Sequence, residues 1–212
     1  MATMTSPNVG PRGLKRTVAP TIKAIELSAF KKHAKVDLPD EDDLLLEYIE
    51  AATDYVQDEQ QRALCLSTWQ AVYDCFPSSG VFYVPRPPLA HGVVVDAVPQ
   101  EVEITYLDSS GDEQTLPESY YVVDTISEPG RISLANGQTW PSTLNQPGAV
   151  TLTFPAGHTT ADEMKASTRQ AIRVLAHHWY MHREPIVIGA SVQSVPLSVQ
   201  DMIDQDKFVS YR

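Results

Sequence analysis

The chain has 212 residues, 42% of them apolar and 20% charged, and carries a net charge of −11 at pH 7. That length and composition give one or two globular domains with a real core and exclude a disordered chain. The acidic balance argues against a general nucleic-acid binder, no run of 18 apolar residues offers a transmembrane helix, and the first 25 residues lack the apolar block of a secretory signal.

Only two cysteines are present, Cys65 and Cys75. They exclude a disulfide scaffold and a four-thiolate zinc site, and they fit a reducing compartment. The charge is unevenly spread. Residues 1–35 hold seven Lys/Arg and one acid, residues 36–164 hold 22 acids and three Arg, and residues 165–212 hold six bases and four acids. The net charges are therefore +6, −19 and +2. Basic ends and an acidic middle can draw copies of one chain together, end to middle.

Residues 1–25, with Pro7, Gly10, Pro11, Gly13 and Pro20, read as a flexible basic arm. Residues 26–35 read as a short helix carrying Leu27, Phe30 and Ala34 on one side. Asp40 is the expected N-cap of the next helix, which should run over about 41–61. In it Leu45, Tyr48, Ile49, Ala52, Tyr55 and Val56 form an apolar stripe, and Asp43, Glu47, Glu50, Asp54 and Asp58 form an acidic one.

From residue 64 the period changes to two, with Cys65, Trp69, Ala71, Tyr73 and Cys75 expected on one strand face. Further strands are predicted at 81–84, 92–98, 101–108, 113–116, 120–124, 131–134 and 149–154. Their turns lie at Ser109–Asp112 and Glu128–Gly130. Helical period returns at 161, where Thr160 and Glu163 make a capping box. A single helix is expected up to Arg183, before Pro185, with Lys165, Arg169, Arg173 and His177 as a basic stripe. Pro196 opens a short helix over 197–204.

The expected fold class is α+β. It is mainly a helical bundle, of N-terminal helices plus a long C-terminal helix, with an inserted antiparallel β domain. The expected boundaries are a flexible arm at 1–25, a helical domain from 26–63 and 158–204, a β domain at 64–157 and a tail at 205–212.

Catalytic templates are not met. No nucleophile elbow, phosphate-binding loop or dinucleotide fingerprint is present. His178 and His182 stand four apart, but the H-E-x-x-H pattern is missing. Cys65 and Cys75 read as small buried hydrophobes rather than nucleophiles. Asp40–Asp43 lacks calcium-loop spacing and reads as helix capping. No catalytic residue, metal site or cofactor is expected. Two alternatives stay open: a metal-dependent hydrolase using His177, His178 and His182, and a monomeric module that binds a partner through its β domain.

Several segments, in order, resemble a known family. They are Leu27–Lys31, Val36-Asp37, the acidic helix start over Asp40–Tyr55, Thr68-Trp69, Phe76-Pro77, Pro85–Leu89, Tyr106–Asp108, Glu128–Ile132, Trp140-Pro141, Thr153–Gly157, His178–Tyr180 and Arg183-Glu184. The chain resembles the head–tail connector (adaptor or head-completion) proteins of tailed bacteriophages over roughly 26–185. The resemblance implies a non-enzymatic structural protein of the virion neck, assembled in the host cytoplasm. It implies a dodecameric ring beneath the portal protein that extends the DNA channel and offers a docking surface to a stopper or tail terminator. Double-stranded DNA would pass without specific binding, and no membrane is involved.

On that reading the stripe Asp43, Glu47, Glu50, Asp54 and Asp58 is a candidate lumen or intersubunit face. Lys165, Arg169 and Arg173 are the candidate intersubunit basic stripe. Ile186, Ile188, Val192, Val195, Phe208 and Tyr211 belong to a candidate portal-binding arm.

Overall fold

In a computed structural model the described residues are 10–37, 39–182 and 195–209. The chain divides into two units. One takes residues up to Pro20 and Leu66–Gly157, and the other takes Thr21–Cys65 and His158 onward.

The described residues of the first unit build β-sheets, with one 3-10 turn at Glu118–Tyr120. Its five-stranded antiparallel sheet has the order β1 (Gly13–Val18), β2 (Ser67–Tyr73), β10 (Val150–Ala156), β6 (Glu103–Leu107) and β7 (Glu113–Thr115). A three-stranded sheet orders β3 (Val81–Tyr83), β9 (Arg131–Leu134) and β8 (Tyr121–Asp124), and β4 (Val93–Val95) pairs with β5 (Val98–Gln100). β2 shows why period two marks a half-buried strand: Ser67, Trp69, Ala71 and Tyr73 are buried and the residues between them are half-exposed. Next to it β10 buries Val150, Leu152 and Phe154, and β6 buries Ile104.

Three expectations for this unit are corrected. The arm expected over 1–25 is a strand at Gly13–Val18, paired antiparallel with β2 so that Gly13 faces Val72 and Arg16 faces Trp69. Its side chains are mostly exposed, so the hydrogen bonds of an edge, not burial, hold it there. The single strand expected at 92–98 is a hairpin, because Asp96 and Ala97 take positive φ values of 50° and 64° and reverse the chain in two residues. Cys75 lies beyond β2 and is exposed, while Cys65 is buried ahead of it.

The second unit is helical. It holds α1 (Leu27–Ala34), α2 (Asp42–Gln60), α3 (Ala166–Met181) and α4 (Leu197–Asp204). Its core joins Phe30 of α1, Leu45, Ile49, Ala52 and Val56 of α2, Ala171, Ile172 and Leu175 of α3, and Val199 and Ile203 of α4. The three- and four-residue spacing that set the apolar stripes is the spacing that packs these faces.

The bundle therefore exists, but the chain is not mainly helical. Among the described residues ten strands accompany four helices, and the β unit recruits the N-terminal segment as well as the insertion. Two helix starts also differ. Asp40 lies in a 3-10 turn, Pro39–Glu41, and α2 begins after it without a side-chain cap. The capping box of Thr160 and Glu163 is formed, yet it closes only a 3-10 turn, Ala161–Glu163. Met164 and Lys165 are extended, and α3 begins at Ala166.

Candidate assembly surfaces

On a helix advancing about 100° per residue, Asp43, Glu47, Glu50, Asp54 and Asp58 fall within an arc of about 80°. Its centre lies about 190° from that of Leu45, Ile49, Ala52 and Val56, so burial of one face turns the other outward. All five carboxylates are exposed. Lys23 forms an ion pair with Glu50, and Lys31 pairs with Asp42 beside the ridge at 2.5 Å. Asp43 and Glu47 have no partner among the described residues. Like charges four apart on a helix repel by about 0.2–0.5 kcal/mol per pair, so the ridge is mildly self-repulsive.

The basic stripe expected on α3 is not a continuous free surface. Lys165 lies before the helix and pairs with Asp206. Arg169 pairs with Asp162 at 2.6 Å. Arg173 donates to Gln170 at 2.8 Å and has no acidic partner among the described residues. A different basic surface is present where α1 meets α3. The His33 and His177 rings lie 5.4 Å apart, edge to face. Burial holds His33 below the ordinary histidine range, and His177 and then Arg173 push it the same way. Lys32 and Lys35, at the end of α1, are exposed and have no partner among the described residues. The signal for this surface was in the sequence, in the four bases of Lys31–Lys35, but only the α1–α3 contact brings them to Arg173 and His177.

The three histidines of the hydrolase alternative do not converge. His177 faces His33, whereas the His178 and His182 rings lie tilted against each other with centroids 4.5 Å apart. Adjacent helical positions point about 100° apart, which separates His177 from His178. No group of three His, Cys, Asp or Glu that could hold a metal exists among the described residues.

Of the candidate arm, Ile186, Ile188, Val192 and Tyr211 lie outside the described residues. Val195 packs against the helical core. Phe208 donates its N–H to the Gln60 carbonyl at 2.8 Å. The tail expected from residue 205 is thus docked through 208. A buried polar network explains this. Gln60 is fully buried and donates from Nε2 to Thr168 Oγ1 at 3.1 Å and to the Ile203 carbonyl at 3.2 Å. Asp206, 8% exposed, accepts from Thr168 at 3.4 Å and forms an ion pair with Arg62 at 3.5 Å. Arg62 also donates to the Asp206 carbonyl at 2.7 Å. Buried Gln and Asp carry no periodic signal of their own, so sequence reasoning passed over them.

The β unit also exposes a surface. Val81, Tyr83, Val122 and Ser133 share the outer face of the three-stranded sheet, since Val81 and Val122 both face Ser133 in the register. Tyr83 and Val122 are about half exposed. Past β8, Ile126 is 95% exposed on a turn braced by Asp124. The Asp124 carboxylate accepts from the Ile126 and Ser127 amides, the Ser127 hydroxyl and Arg131. Those donors hold its pKa well below the usual carboxylate range.

Residues 24–103 match the model of the phage gp6-like head-tail connector protein family. No curated protein matches the chain. Among solved structures, a chain from the neck of an empty gene transfer agent particle, computed with C6 symmetry, superposes with a TM-score of 0.71 at 21% identity. The match covers 94% of this chain and 97% of that one. A chain from the virion of the native gene transfer agent particle matches equally well. One from the neck of the native particle, computed with C12 symmetry, gives 0.70 at 18% identity, with the same coverage. The resemblance to head–tail connectors drawn from the sequence is met by a family match over residues 24–103, and nearly the whole chain shares its fold with chains of gene transfer agent particles.

Proposed function

We infer that this chain is a structural component of the neck of a phage-like particle, where copies of it form a ring between the head and the next neck or tail protein. The observation that carries this reading is the conjunction of the connector match over 24–103 with a shared fold covering 94% of the chain in neck assemblies of rotational symmetry. The surfaces suit it. One helical unit presents an acidic ridge and a separate basic patch, and the β unit presents apolar side chains on a braced turn. A heterologous contact repeated by rotation closes a ring.

In this reading the ring has twelve copies, sits on the portal protein and prolongs the DNA channel. It offers its far side to a stopper or tail terminator. The work is done by shape and assembly, and no chemistry is asked of the histidines. The stretch between α3 and the docked α4 is the arm that reaches the portal, with Ile186, Ile188 and Val192 as its apolar anchors. Carboxylates facing a channel would keep DNA phosphates from sticking.

The test is to mix the purified protein with the portal ring of the same particle and measure the mass of the product. A complex of many copies per portal ring is the expected result, and replacing Ile186, Ile188 and Val192 by Ser should abolish it with the urea midpoint unchanged. A chain that ignores the portal at every salt concentration overturns the reading.

A further inference from the structure

We propose that neighbouring copies join through unlike faces of the helical unit, the acidic ridge of α2 in one copy seating on the α1–α3 basic patch of the next. The inference rests on the ring reading and names the contact that would build it. The ridge presents Asp43 and Glu47 without partners among the described residues, on a face turned away from the core. The patch presents Lys32, Lys35 and Arg173, which also lack acidic partners among the described residues. On α3, Arg173 lies about 130° from the centre of the buried positions Thr168, Ala171, Ile172, Leu175 and Ala176 and is half-buried. The ridge is thus directed away from its core, the patch lies off the buried side of α3, and the two carry opposite charge.

The subunit already shows the chemistry of the joint. Lys23 and Lys31, which flank and begin the same basic run, reach α2 carboxylates from within the chain. Lys32 and Lys35, on the same run, find none among the described residues. A second copy supplies the missing partners and relieves the like-charge repulsion along the ridge. Because donor and acceptor faces differ, the contact is head to tail. It can repeat around an axis, which a two-fold contact cannot do. The bases first expected in this role, Lys165 and Arg169, are neutralised by Asp206 and Asp162.

Sedimentation of the full chain at low salt provides the test, with two charge-reversed variants. One carries Asp43→Lys and Glu47→Lys, the other Lys32→Glu and Arg173→Glu. Wild-type chain should associate, and moderate salt should weaken that association. Each variant alone should associate at least about tenfold more weakly. An equimolar mixture of the two should associate again, since each reversed face then meets its complement, and a chain carrying all four changes should associate by itself. The milder pair Asp43→Asn and Glu47→Gln, with a urea midpoint for every variant, separates lost contact from lost fold.

Wild-type chain that stays monomeric alone but loads onto the portal, or association untouched by either reversal, overturns this contact and leaves the ring reading standing. The second result would turn the ridge toward the channel instead. Association lost in both variants and not restored on mixing also overturns it. A chain that associates neither alone nor on the portal removes the ring reading itself.

Discussion

Asp206→Ala is the sharpest local perturbation of the helical unit. Asp206 follows α4, yet its side chain is only 9% exposed and faces Arg62, which is 14% exposed. Removing one partner of a buried ion pair costs about 3–5 kcal/mol, because the other charge stays buried and unpaired. The lower end applies here, since Arg62 keeps its bond to the residue 206 carbonyl and Thr168 keeps its bond to Gln60. Lys165, 60% exposed, adds less than about 1 kcal/mol. We therefore expect Asp206→Ala to lower stability by about 3 kcal/mol, measured by urea unfolding followed through helical circular dichroism. Lys165→Ala should cost under about 1 kcal/mol. Combining Asp206→Ala with Arg62→Ala should cost less than the sum of the two. Amide exchange in α4 should speed up in Asp206→Ala, because the network holds that helix to α2 and α3. A change below about 0.5 kcal/mol would refute the reasoning that a buried charge network docks the C-terminal helix.

Other outcomes follow from the packing. Leu175→Ala empties a fully buried site in the helical core and should cost about 2–5 kcal/mol in the same assay; a loss under about 1 would mean the site collapses freely. Gly130→Ala should destabilise the β unit by about 1–3 kcal/mol, because the new Cβ would stand 2.7 Å from Leu89 Cβ and 2.8 Å from its Cδ2. Shortening Leu89 to Ala removes the Cδ2 obstacle, so the double variant should lose less than the two single losses added. The Tyr121 hydroxyl donates to the Val102 carbonyl at 2.9 Å, and burial pushes its pKa up to about 12. Its neutral form is the one the fold holds, so its contribution is complete below the free phenol pKa of about 10 and is lost as pH rises through about 12. Alkaline absorbance of the wild type minus Tyr121→Phe should show a phenol titrating near the upper value, and ionisation near 10 with the fold intact would contradict it.

Much of this architecture is legible in the sequence where burial repeats with a period. The α2 stripes, the β2 alternation and the strand at Arg131–Leu134 emerge directly, because each element hides one face. β1 escaped because an edge strand with exposed side chains has no alternation to read; its position is set by the hydrogen bonds that β2 offers. The β4–β5 hairpin escaped because its turn is Asp96-Ala97, without the glycine that ordinarily marks positive φ. The acidic ridge was visible as spacing. The basic patch was not, because α1 contributes its end and α3 contributes Arg173 and His177, which lie far apart in sequence. The expected Lys165–Arg169–Arg173 stripe failed for a related reason: spacing shows which bases align but not which acids already neutralise them.

The central claim is that this chain is a neck component without which heads and tails do not join. The most direct measurement is electron microscopy of particles made when its gene is deleted from the phage or prophage that encodes it, with complementation by the wild-type gene. The account predicts heads that package DNA but carry no tails, restored to tailed particles by complementation. Tailed, infectious particles in normal yield from the deletion strain would contradict it.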